Sequence, residues 1–323
     1  MSTSLTHDVA VIGGGASGLS AAVTLARSLR SVVVVDAGDP RNAPADGAHN
    51  VLGREGVSPL QLLADGRREA EHYGAEIRSD RAIAVRRYDG GFEVTLAGGE
   101  SVGARRLLFA TGLVDELPDV AGLREQWGTS VLHCPYCHGW EVRGQRIGVL
   151  GVGARSIHQA LLFRQLSADV TLFLHQMDDP GDEAWEQLAA LDIRVVRGAV
   201  RRLRGEDDDL PAVVLEDGHE FALDALVVAP RFSARAELFE QLGGTLTEHP
   251  IGGRFIATEP TGRTEIPGVW AVGNVSDLGA MVAAATGAGV ATAAVINADL
   301  VADDVDAAVR ARADRLSRAA EAG

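Results

Sequence analysis

The two cysteines of this 323-residue chain lie three residues apart in HCPYCHGWE, residues 133–141. A C-x-x-C-H pattern is compatible with a redox-active disulfide, part of a zinc site or a haem attachment sequence. A tetrahedral zinc site needs two further ligands, and the directly flanking His133 and His138 do not have the usual ligand spacing. Haem attachment requires export, whereas the N-terminal MSTSLTHDVAVIGGG lacks the regions of a secretory signal.

Composition and charge narrow the class of protein. The chain has 46 % hydrophobic residues, 38 glycines and a formal net charge of −15 at pH 7, which suits a globular α/β protein long enough for two domains. Nucleic acids and anionic membranes attract basic surfaces, so the acidic balance argues against both as partners. We see no uncharged apolar run of the roughly 18 residues that suggest a membrane helix. We therefore expect a cytoplasmic protein, in which a C-x-x-C pair is catalytic or metal-binding.

The segment HDVAVIGGGASGLSAAVTLARSLRSVVVVDAGDP predicts a strand, a glycine turn, a helix and a second strand. Gly13, Gly15 and Gly18 form G-x-G-x-x-G. The first glycine permits the tight turn, the second lets the backbone approach a pyrophosphate, and the third lets helix and strand pack closely. The start of the helix offers free N–H groups to phosphates. Because Asp36 ends the second strand, where a carboxylate binds ribose hydroxyls, the segment predicts a dinucleotide site.

Two later segments indicate which dinucleotide is bound. RRLLFATGL (105–113) resembles the strand ending in Ala-Thr-Gly of flavoproteins with two dinucleotide domains, and IPGVWAVGNVSD (266–277) resembles their late flavin motif. The resemblance implies FAD, with Asn274 near the ribityl chain in place of the usual aspartate. The following helix would direct its positive end at the flavin N1–C2=O region and stabilise anionic reduced flavin.

A second strand–turn–helix–strand unit follows in RGQRIGVLGVGARSIHQALLFRQLSADVTLFLHQ (143–176), with Gly151, Gly153 and Ser156 at the three glycine positions. Two such units, with the C-x-x-C directly before the second, resemble the low-molecular-weight thioredoxin reductases over nearly the whole chain. The resemblance implies an α/β fold of two Rossmann-like dinucleotide-binding domains of the three-layer ββα type. The FAD-binding domain would comprise residues 1–113 and 236–323. A pyridine-nucleotide-like domain, 114–235, would be inserted into it and carry a redox-active disulfide.

The resemblance also assigns cofactor contacts. Asn50, in AHNVLGREG, matches a flavin-contacting asparagine of the family, and Met281 replaces a glutamine near the flavin pyrimidine. The positions implied to bind FAD are Gly13, Gly15, Ser17, Gly18, Asp36, Arg41, Asn42, Asn50, Ala82, Ala110, Thr111, Gly112, Gly273, Asn274, Met281 and Val282.

The second unit departs from the family pattern where NADPH would bind. The family holds the 2′-phosphate with an arginine pair after a histidine, but here His175 is followed by Gln176 and Met177. Hydrogen bonds to charged groups contribute roughly 1.5–3 kcal/mol each, so losing two would weaken binding by about 10²–10⁴-fold. The family's paired glutamates are also replaced, by His158 and Gln159. Use of NADPH is therefore doubtful.

The redox motif departs as well, because the family's aspartate after the second cysteine is His138 here. The form CPYCHGWE resembles a branch that contains flavin-dependent dithiol oxidases of natural-product biosynthesis. The resemblance implies that a substrate dithiol attacks Cys134, that Cys137 reduces the flavin, and that O2 reoxidises it and gives H2O2. A histidine suits proton transfer near neutral pH, so we assign that role to His138, with His133 as the competitor. Glu141 would orient a histidine or cap a strand.

Other interpretations remain open at this stage. A reductase would move electrons from NAD(P)H, a ferredoxin or a flavodoxin to thioredoxin or a small disulfide, and a flavin-binding redox sensor would not turn over. We expect a small-molecule dithiol or disulfide as the substrate, with thioredoxin as the alternative. Family members are homodimers, so a homodimer is expected by resemblance. The charged C-terminal helix, 303–323, is either solvated or a dimer contact.

Overall fold

The computed structural model describes residues 7–205, 212–250 and 252–321. Residues 1–6, which belong to the N-terminal segment assessed for an export signal, therefore lie outside the described residues. The helices are α1 (Ala16–Arg27), α2 (Pro59–His72), α3 (Pro135–His138), α4 (Ala154–Arg164), α5 (Asp182–Ala190), α6 (Glu237–Gln241) and α7 (Val282–Glu321). The strands are β1 (His7–Ile12), β2 (Val32–Val35), β3 (Glu76–Arg78), β4 (Ala82–Tyr88), β5 (Gly91–Leu96), β6 (Ser101–Phe109), β7 (Leu113–Glu116), β8 (Val131–Leu132), β9 (Ile147–Leu150), β10 (Val170–Phe173), β11 (Arg194–Val196), β12 (Val200–Arg204), β13 (Ala212–Leu215), β14 (Glu220–Ala222), β15 (Ala225–Val227), β16 (Arg231–Ala234), β17 (Thr247–Glu248), β18 (Arg254–Phe255) and β19 (Val269–Ala271).

The first sheet has the order β3-β2-β1-β6-β5-β4, with β19 paired to β6. Strand β1 lies between β2 and β6, parallel to both, with Ile12 opposite Val35 and Phe109. All four residues of β2 are buried, as expected for a β-branched strand covered on both faces. The carboxyl ends of β1, β2 and β6 therefore meet at one edge, where the glycine turn begins.

Helix α1 packs between this sheet and α7. Its buried residues include Ala22 and Leu25, which share a core cluster with Ala293, Ile296 and Leu300 of α7. The N-terminal half of α7 therefore covers the helix that follows the glycine turn.

The second parallel sheet has the order β11-β10-β9-β15-β8, and the antiparallel sheet β12-β13-β14 accompanies it. Helix α4 follows β9 and buries Ala160 and Phe163 against it. Two Rossmann-like units are thus present, and the predicted fold class is confirmed.

Two strands connect the units. Strand β7 leaves the first unit and pairs antiparallel with β16, which returns to it, so that Leu113 lies opposite Ala234. Both strands belong to a four-stranded sheet of order β17-β18-β16-β7. The predicted limits of the inserted segment, residues 114 and 235, lie on β7 and directly after β16.

Helix α7 departs from the expectation about membrane segments. By length and composition Val282–Ala320 is apolar enough to cross a membrane, a test that core helices of soluble proteins also pass. One side of its first half is buried against α1, and residues 301–320 are exposed. Three aspartates of α7, Asp299, Asp303 and Asp304, pair with arginines outside the helix; Asp299, for example, accepts from Arg106 at 2.7 Å and from Arg263 at 3.1 Å. The predicted C-terminal helix, 303–323, is the continuation of this single helix as far as residue 321, and residues 322 and 323 lie outside the described residues.

Replacing Leu25 with alanine should lower the free energy of unfolding by about 2–5 kcal/mol, because a fully buried side chain leaves a cavity between α1 and α7. Leu29, which is 93 % exposed just after α1, is the matched control, and Leu29→Ala should change stability by less than about 0.5 kcal/mol. Urea unfolding at equal flavin saturation measures both. Equal effects of the two substitutions would contradict the packing described.

Candidate active site

One cavity of about 690 Å³ opens at the carboxyl edge of the first sheet and extends to the C-x-x-C. It brings together residues from the whole length of the chain. The predicted site residues that line it are Gly13, Gly15, Ser17, Asp36, Arg41, Asn42, Ala82, Ala110, Thr111, Gly112, Asn274, Met281, Val282, Cys134, Cys137 and His138.

The glycine turn leaves its backbone facing this cavity. A β carbon on Gly13 would lie 2.3 Å from the carbonyl oxygen of Ala110, and one on Gly18 would lie 2.0 Å from that of Gly13. A β carbon on Gly15 would meet nothing within 4 Å, because this residue, at the N-terminus of α1, faces open space. The turn thus has the open backbone and helix start that a pyrophosphate requires.

Asp36 lies beside the turn, and each of its carboxylate oxygens has a hydrogen-bond partner. Oδ1 accepts a hydrogen bond from the Gly14 N–H at 3.1 Å, and Oδ2 pairs with the Arg67 guanidinium of α2. Sequence reasoning identified Asp36 but missed Arg67, which is 31 residues away and part of no motif. The predicted ribose acid is therefore held in place by the turn itself and by a neighbouring helix.

Arg41 also has a partner that sequence reasoning missed. Its guanidinium donates two hydrogen bonds of 2.7 Å to Asp115 of β7. It also donates to Asn274 Oδ1 at 3.4 Å and lies 5.1 Å from the centre of the Phe232 ring in β16. This side chain therefore links the cavity to the two connecting strands.

Cys134 and Cys137 form a disulfide in the cavity wall. Cys134 caps the single turn α3, and Pro135 occupies its first position, where no N–H is needed. Gly139, which directly follows α3, has no room for a side chain, because a β carbon would lie 2.2 Å from the Pro135 carbonyl oxygen. Among the described residues no group of three or more potential metal ligands occurs.

His138 is half-buried beside the disulfide. Its Nε2 is buried and has no hydrogen-bond partner in the described part of the chain. Burial lowers the pKa of His138, and the negative charge of Glu141 opposes that shift. The imidazole therefore favours its neutral form, and it lines the same cavity as the two cysteines.

Glu141 belongs to a charged chain that extends from the loop before α2. His49 contacts Glu141 at 3.5 Å through Nε2 and Glu55 at 2.7 Å through Nδ1. The hydrogen bond from His49 holds the pKa of Glu55 below its usual range. The sequence did not indicate His49 or Glu55, because the motif that contains them predicted a role for Asn50 alone.

His133 has a different environment. Its ring stacks on Trp127 at 6.4 Å and meets the edge of Phe232 at 5.4 Å, and its buried Nδ1 has no partner in the described ranges. Burial, with a contribution from the positive charge of Arg41, lowers the pKa of His133 to about 4. His133 is therefore a neutral residue that packs against Trp127 and Phe232 and also lines the cavity.

Three of the predicted cofactor positions do not line the cavity. Gly18 and Gly273 provide close packing instead, and a β carbon on Gly273 would lie 2.5 Å from Ser17 Oγ. Asn50 has a left-handed backbone (φ 60°) and donates through Nδ2 to the Tyr136 carbonyl oxygen at 2.8 Å. Its contact to a flavin remains a prediction, and what it forms here is a contact between the first unit and α3.

Side chains at the second glycine turn form hydrogen bonds within the second unit. Ser156 Oγ accepts from the Val152 N–H at 3.0 Å and donates to the Leu150 carbonyl oxygen at 2.9 Å. Arg155, at the start of α4, donates to the Pro230 carbonyl oxygen at 3.1 Å and lies over the Phe232 ring.

The other departures from the family pattern also have internal roles. Gln159 donates to the carbonyl oxygens of His133 at 2.8 Å and Val228 at 3.2 Å. Met177 packs against the core between α4 and the second sheet. His175, which matches the family pattern, accepts a hydrogen bond from the Val200 N–H through Nδ1 at 2.9 Å.

A family model described as pyridine nucleotide-disulphide oxidoreductase matches residues 7–295. The chain belongs to this family. Its relatives include thioredoxin reductase tcpT of Claviceps purpurea, 33 % identical over 87 % of this chain and 89 % of that protein. Thioredoxin reductase aclD of Aspergillus oryzae is 31 % identical over 83 % of this chain and 88 % of its own length.

Solved structures agree with this membership. The crystal structure of HlmI is 45 % identical, with a TM-score of 0.90 over 96 % of this chain and 97 % of that chain. An oxidoreductase from Agrobacterium tumefaciens is 36 % identical, with a TM-score of 0.86 over 92 % of this chain and 99 % of its own. The predicted resemblance to thioredoxin reductase-like enzymes is confirmed. The chain is therefore an oxidoreductase, and its family normally binds FAD.

Replacing His133 with phenylalanine should make the protein less sensitive to acid. With a pKa of about 4 when folded and 6.5 when unfolded, His133 binds its proton mainly in the unfolded state between these values. Stability should therefore fall from pH 6.5 towards pH 4, by about 3 kcal/mol from this residue. Urea unfolding at pH 7 and pH 4.5 tests this, with exposed His219→Gln as control. An unchanged pH dependence in His133→Phe would contradict the burial argument.

Proposed function

We propose that this protein is a cytoplasmic, FAD-dependent oxidase that converts a small-molecule dithiol into a disulfide through Cys134 and Cys137, with O2 as electron acceptor and H2O2 as product. One observation carries the proposal: the disulfide lines the same cavity as the first glycine turn, whereas the second glycine turn, residues 151–156, does not line it. A dinucleotide bound at the first turn would therefore lie within reach of the cysteines, and Gln176 with Met177 in place of the arginine pair disfavours NADPH at the second.

The cavity residues suit FAD. The N–H groups around Gly15 and the start of α1 would hold the pyrophosphate, and Asp36 would hold the ribose. The N-terminus of α7, with Asn274 beside it, would face the isoalloxazine. Bound FAD would supply the chemistry the chain lacks, accepting two electrons from the cysteines and passing them to O2.

The chain's own part is a pair of thiol–disulfide exchanges. A substrate thiolate attacks Cys134 Sγ, the Cys134–Cys137 bond breaks, and Cys137 leaves as a thiolate. The second substrate thiol, deprotonated, attacks the substrate sulfur of the mixed disulfide and releases Cys134. The substrate becomes a cyclic disulfide, and the cysteine pair holds the two electrons it has lost.

His138 is the proton acceptor in this scheme. A neutral imidazole with a free Nε2 near the disulfide can take a proton from an incoming thiol. Glu141 stabilises the resulting imidazolium, and His49 with Glu55 positions Glu141. His133, enclosed by aromatic rings, is a weaker candidate.

The outer side of the disulfide suits a small apolar substrate. Tyr136 and Trp140 are each about two-thirds exposed on and after α3, and Leu52 is fully exposed on the loop that contacts this turn. Arg143 stacks on Trp140, with its guanidinium carbon 4.0 Å from the ring centre. These side chains offer apolar surface beside Cys134.

The second candidate is a reductase that moves electrons from NAD(P)H to thioredoxin or a small disulfide. It is favoured by the names of the fungal relatives and by the retention of a second dinucleotide fold. Against it stand Gln176 and Met177, which lie where the family's phosphate-binding arginines would be; Met177 is partly buried against the core of the second unit.

Anaerobic stopped-flow mixing distinguishes the two candidates. We expect dithiothreitol to bleach the bound flavin, NADPH and NADH to leave it oxidised, and readmitted air to restore the colour with H2O2 formation. Cys137→Ser should abolish bleaching by the dithiol. Bleaching by a nicotinamide within milliseconds would make the protein a reductase.

The pH dependence of flavin reduction by the dithiol tests the role of His138. Removing the base in His138→Gln should slow reduction by about 10²–10⁴-fold. Glu141→Gln removes the charge that raises the His138 pKa, so the acidic limb should move to lower pH. His219→Gln, an exposed histidine of the second unit, is the control and should match the unaltered protein. A wild-type rate in His138→Gln would exclude it as the base.

A further inference from the structure

His133 lines the cavity, yet the thiol–disulfide exchanges proposed above give it no role. Its Nδ1 is buried and has no hydrogen-bond partner in the part of the chain that the structure describes. Buried polar atoms are nearly always paired, so an unpaired one is informative. Because Nδ1 is enclosed while the ring lines the cavity, Nε2 is the ring nitrogen on the cavity side.

The unpaired Nδ1 determines which nitrogen of His133 carries the proton. A neutral imidazole has one N–H group and one lone pair on its two nitrogens. Buried N–H groups without an acceptor are rarer in proteins than buried acceptors without a donor, so the lone pair belongs on Nδ1 and the proton on Nε2. Burial keeps the pKa of His133 at about 4, and the ring therefore stays neutral near pH 7. It presents one N–H group to the cavity.

The surroundings of His133 hold this N–H group in one direction. The ring stacks on Trp127 and meets the edge of Phe232, with 6.4 and 5.4 Å between the ring centres. Gln159 of α4 donates to the backbone carbonyl oxygen of His133 at 2.8 Å. A donor that is fixed before its ligand arrives loses little conformational entropy on binding. The group is therefore arranged as a binding residue would be.

The neighbours of His133 indicate which part of a bound FAD it meets. Cys134 follows it directly, and Cys137 lines the same cavity. Asp36, the predicted ribose acid, lines the part of the cavity beside the first glycine turn. Because electrons pass between the cysteines and the isoalloxazine in the proposed reaction, the isoalloxazine belongs at the cysteine end and the adenosine at the Asp36 end. His133 therefore borders the isoalloxazine.

We propose that His133 is a cofactor-binding residue whose Nε2–H donates a hydrogen bond to an acceptor atom of the isoalloxazine. This inference rests on the proposed function in one respect, the presence of FAD in the cavity. The second unit then holds the cofactor of the first unit directly, in addition to exchanging electrons with it through the cysteines. Sequence reasoning considered His133 only as a competitor of His138 for proton transfer, whereas a rigid neutral donor binds rather than titrates.

The affinity of the loaded protein for FAD tests the hydrogen bond. His133→Phe keeps an aromatic ring beside Trp127 and Phe232 but removes the donor, so the Kd for FAD should rise roughly 3–10-fold, as expected for one neutral hydrogen bond. His133→Gln places an amide N–H near the position of Nε2 and should restore most of the affinity. The fluorescence of FAD released on dilution measures the Kd. His158→Phe, the same substitution at an exposed position of α4, is the matched control and should leave the Kd unchanged.

Three results would overturn the proposal. The first is an unchanged Kd in His133→Phe. The second is an equal loss of affinity in His133→Phe and His133→Gln, which would show that the shape of the ring matters and the donor does not. The third is an unchanged Kd for FAD together with a raised KM for the dithiol, which would assign His133 to the substrate.

The visible absorption of the bound flavin tests where the hydrogen bond is made. Loss of a donor to the ring system should shift the absorption bands in His133→Phe and leave them unchanged in His158→Phe. A lower affinity without a shift would place the contact on the ribityl chain and overturn the assignment to the isoalloxazine. Neither measurement uses turnover. A protein that binds FAD but is not bleached by dithiols would contradict the proposed oxidase, and the expected changes in Kd would still support this inference; a protein that binds no FAD would overturn both.

Discussion

No side chain fits between the start of α1 and the backbone that surrounds it. A β carbon on Gly13 would collide with Ala110 at the end of β6, and one on Gly289 would lie 2.2 Å from the carbonyl oxygen of Ser17 in α1. These close approaches bring residues from the beginning, middle and end of the chain together at one point. Because helix and strands touch through their backbones, Gly15 at the start of α1 stays open to the cavity. A larger residue would push apart the elements that form the cavity walls.

The two glycine turns follow the same chain pattern and have the same local geometry. A β carbon on Gly15 or on Gly153 would meet nothing within 4 Å. In each turn one N–H group is held by a side chain, the Gly14 N–H by Asp36 and the Val152 N–H by Ser156. The turns differ in their surroundings, because the first borders the cavity that the disulfide lines and the second does not.

Local patterns made the general fold and much of the cavity predictable. The strand–turn–helix order and the acid at position 36 depend on neighbours within thirty residues, and the structure places them as expected. The partners of those residues were not predictable. Arg67 reaches Asp36 from α2, and Asp115 reaches Arg41 across 74 residues, pairings that depend on how helices and connecting strands pack. Asn50 was assigned by resemblance alone, and its amide contacts Tyr136 rather than the cavity.

The side chains around the second turn also bear on how such a chain can evolve. Ser156, Gln159 and Met177 each contribute to internal packing or hydrogen bonding, so they are part of what keeps the inserted unit folded. Exchanging any one of them for a nucleotide-binding residue would destabilise the unit, and affinity for a nicotinamide would require several exchanges together. Single substitutions at the exposed residues around the disulfide have no such cost to folding. Selection can therefore reach new substrates for the disulfide more easily than a new nucleotide site in the inserted unit.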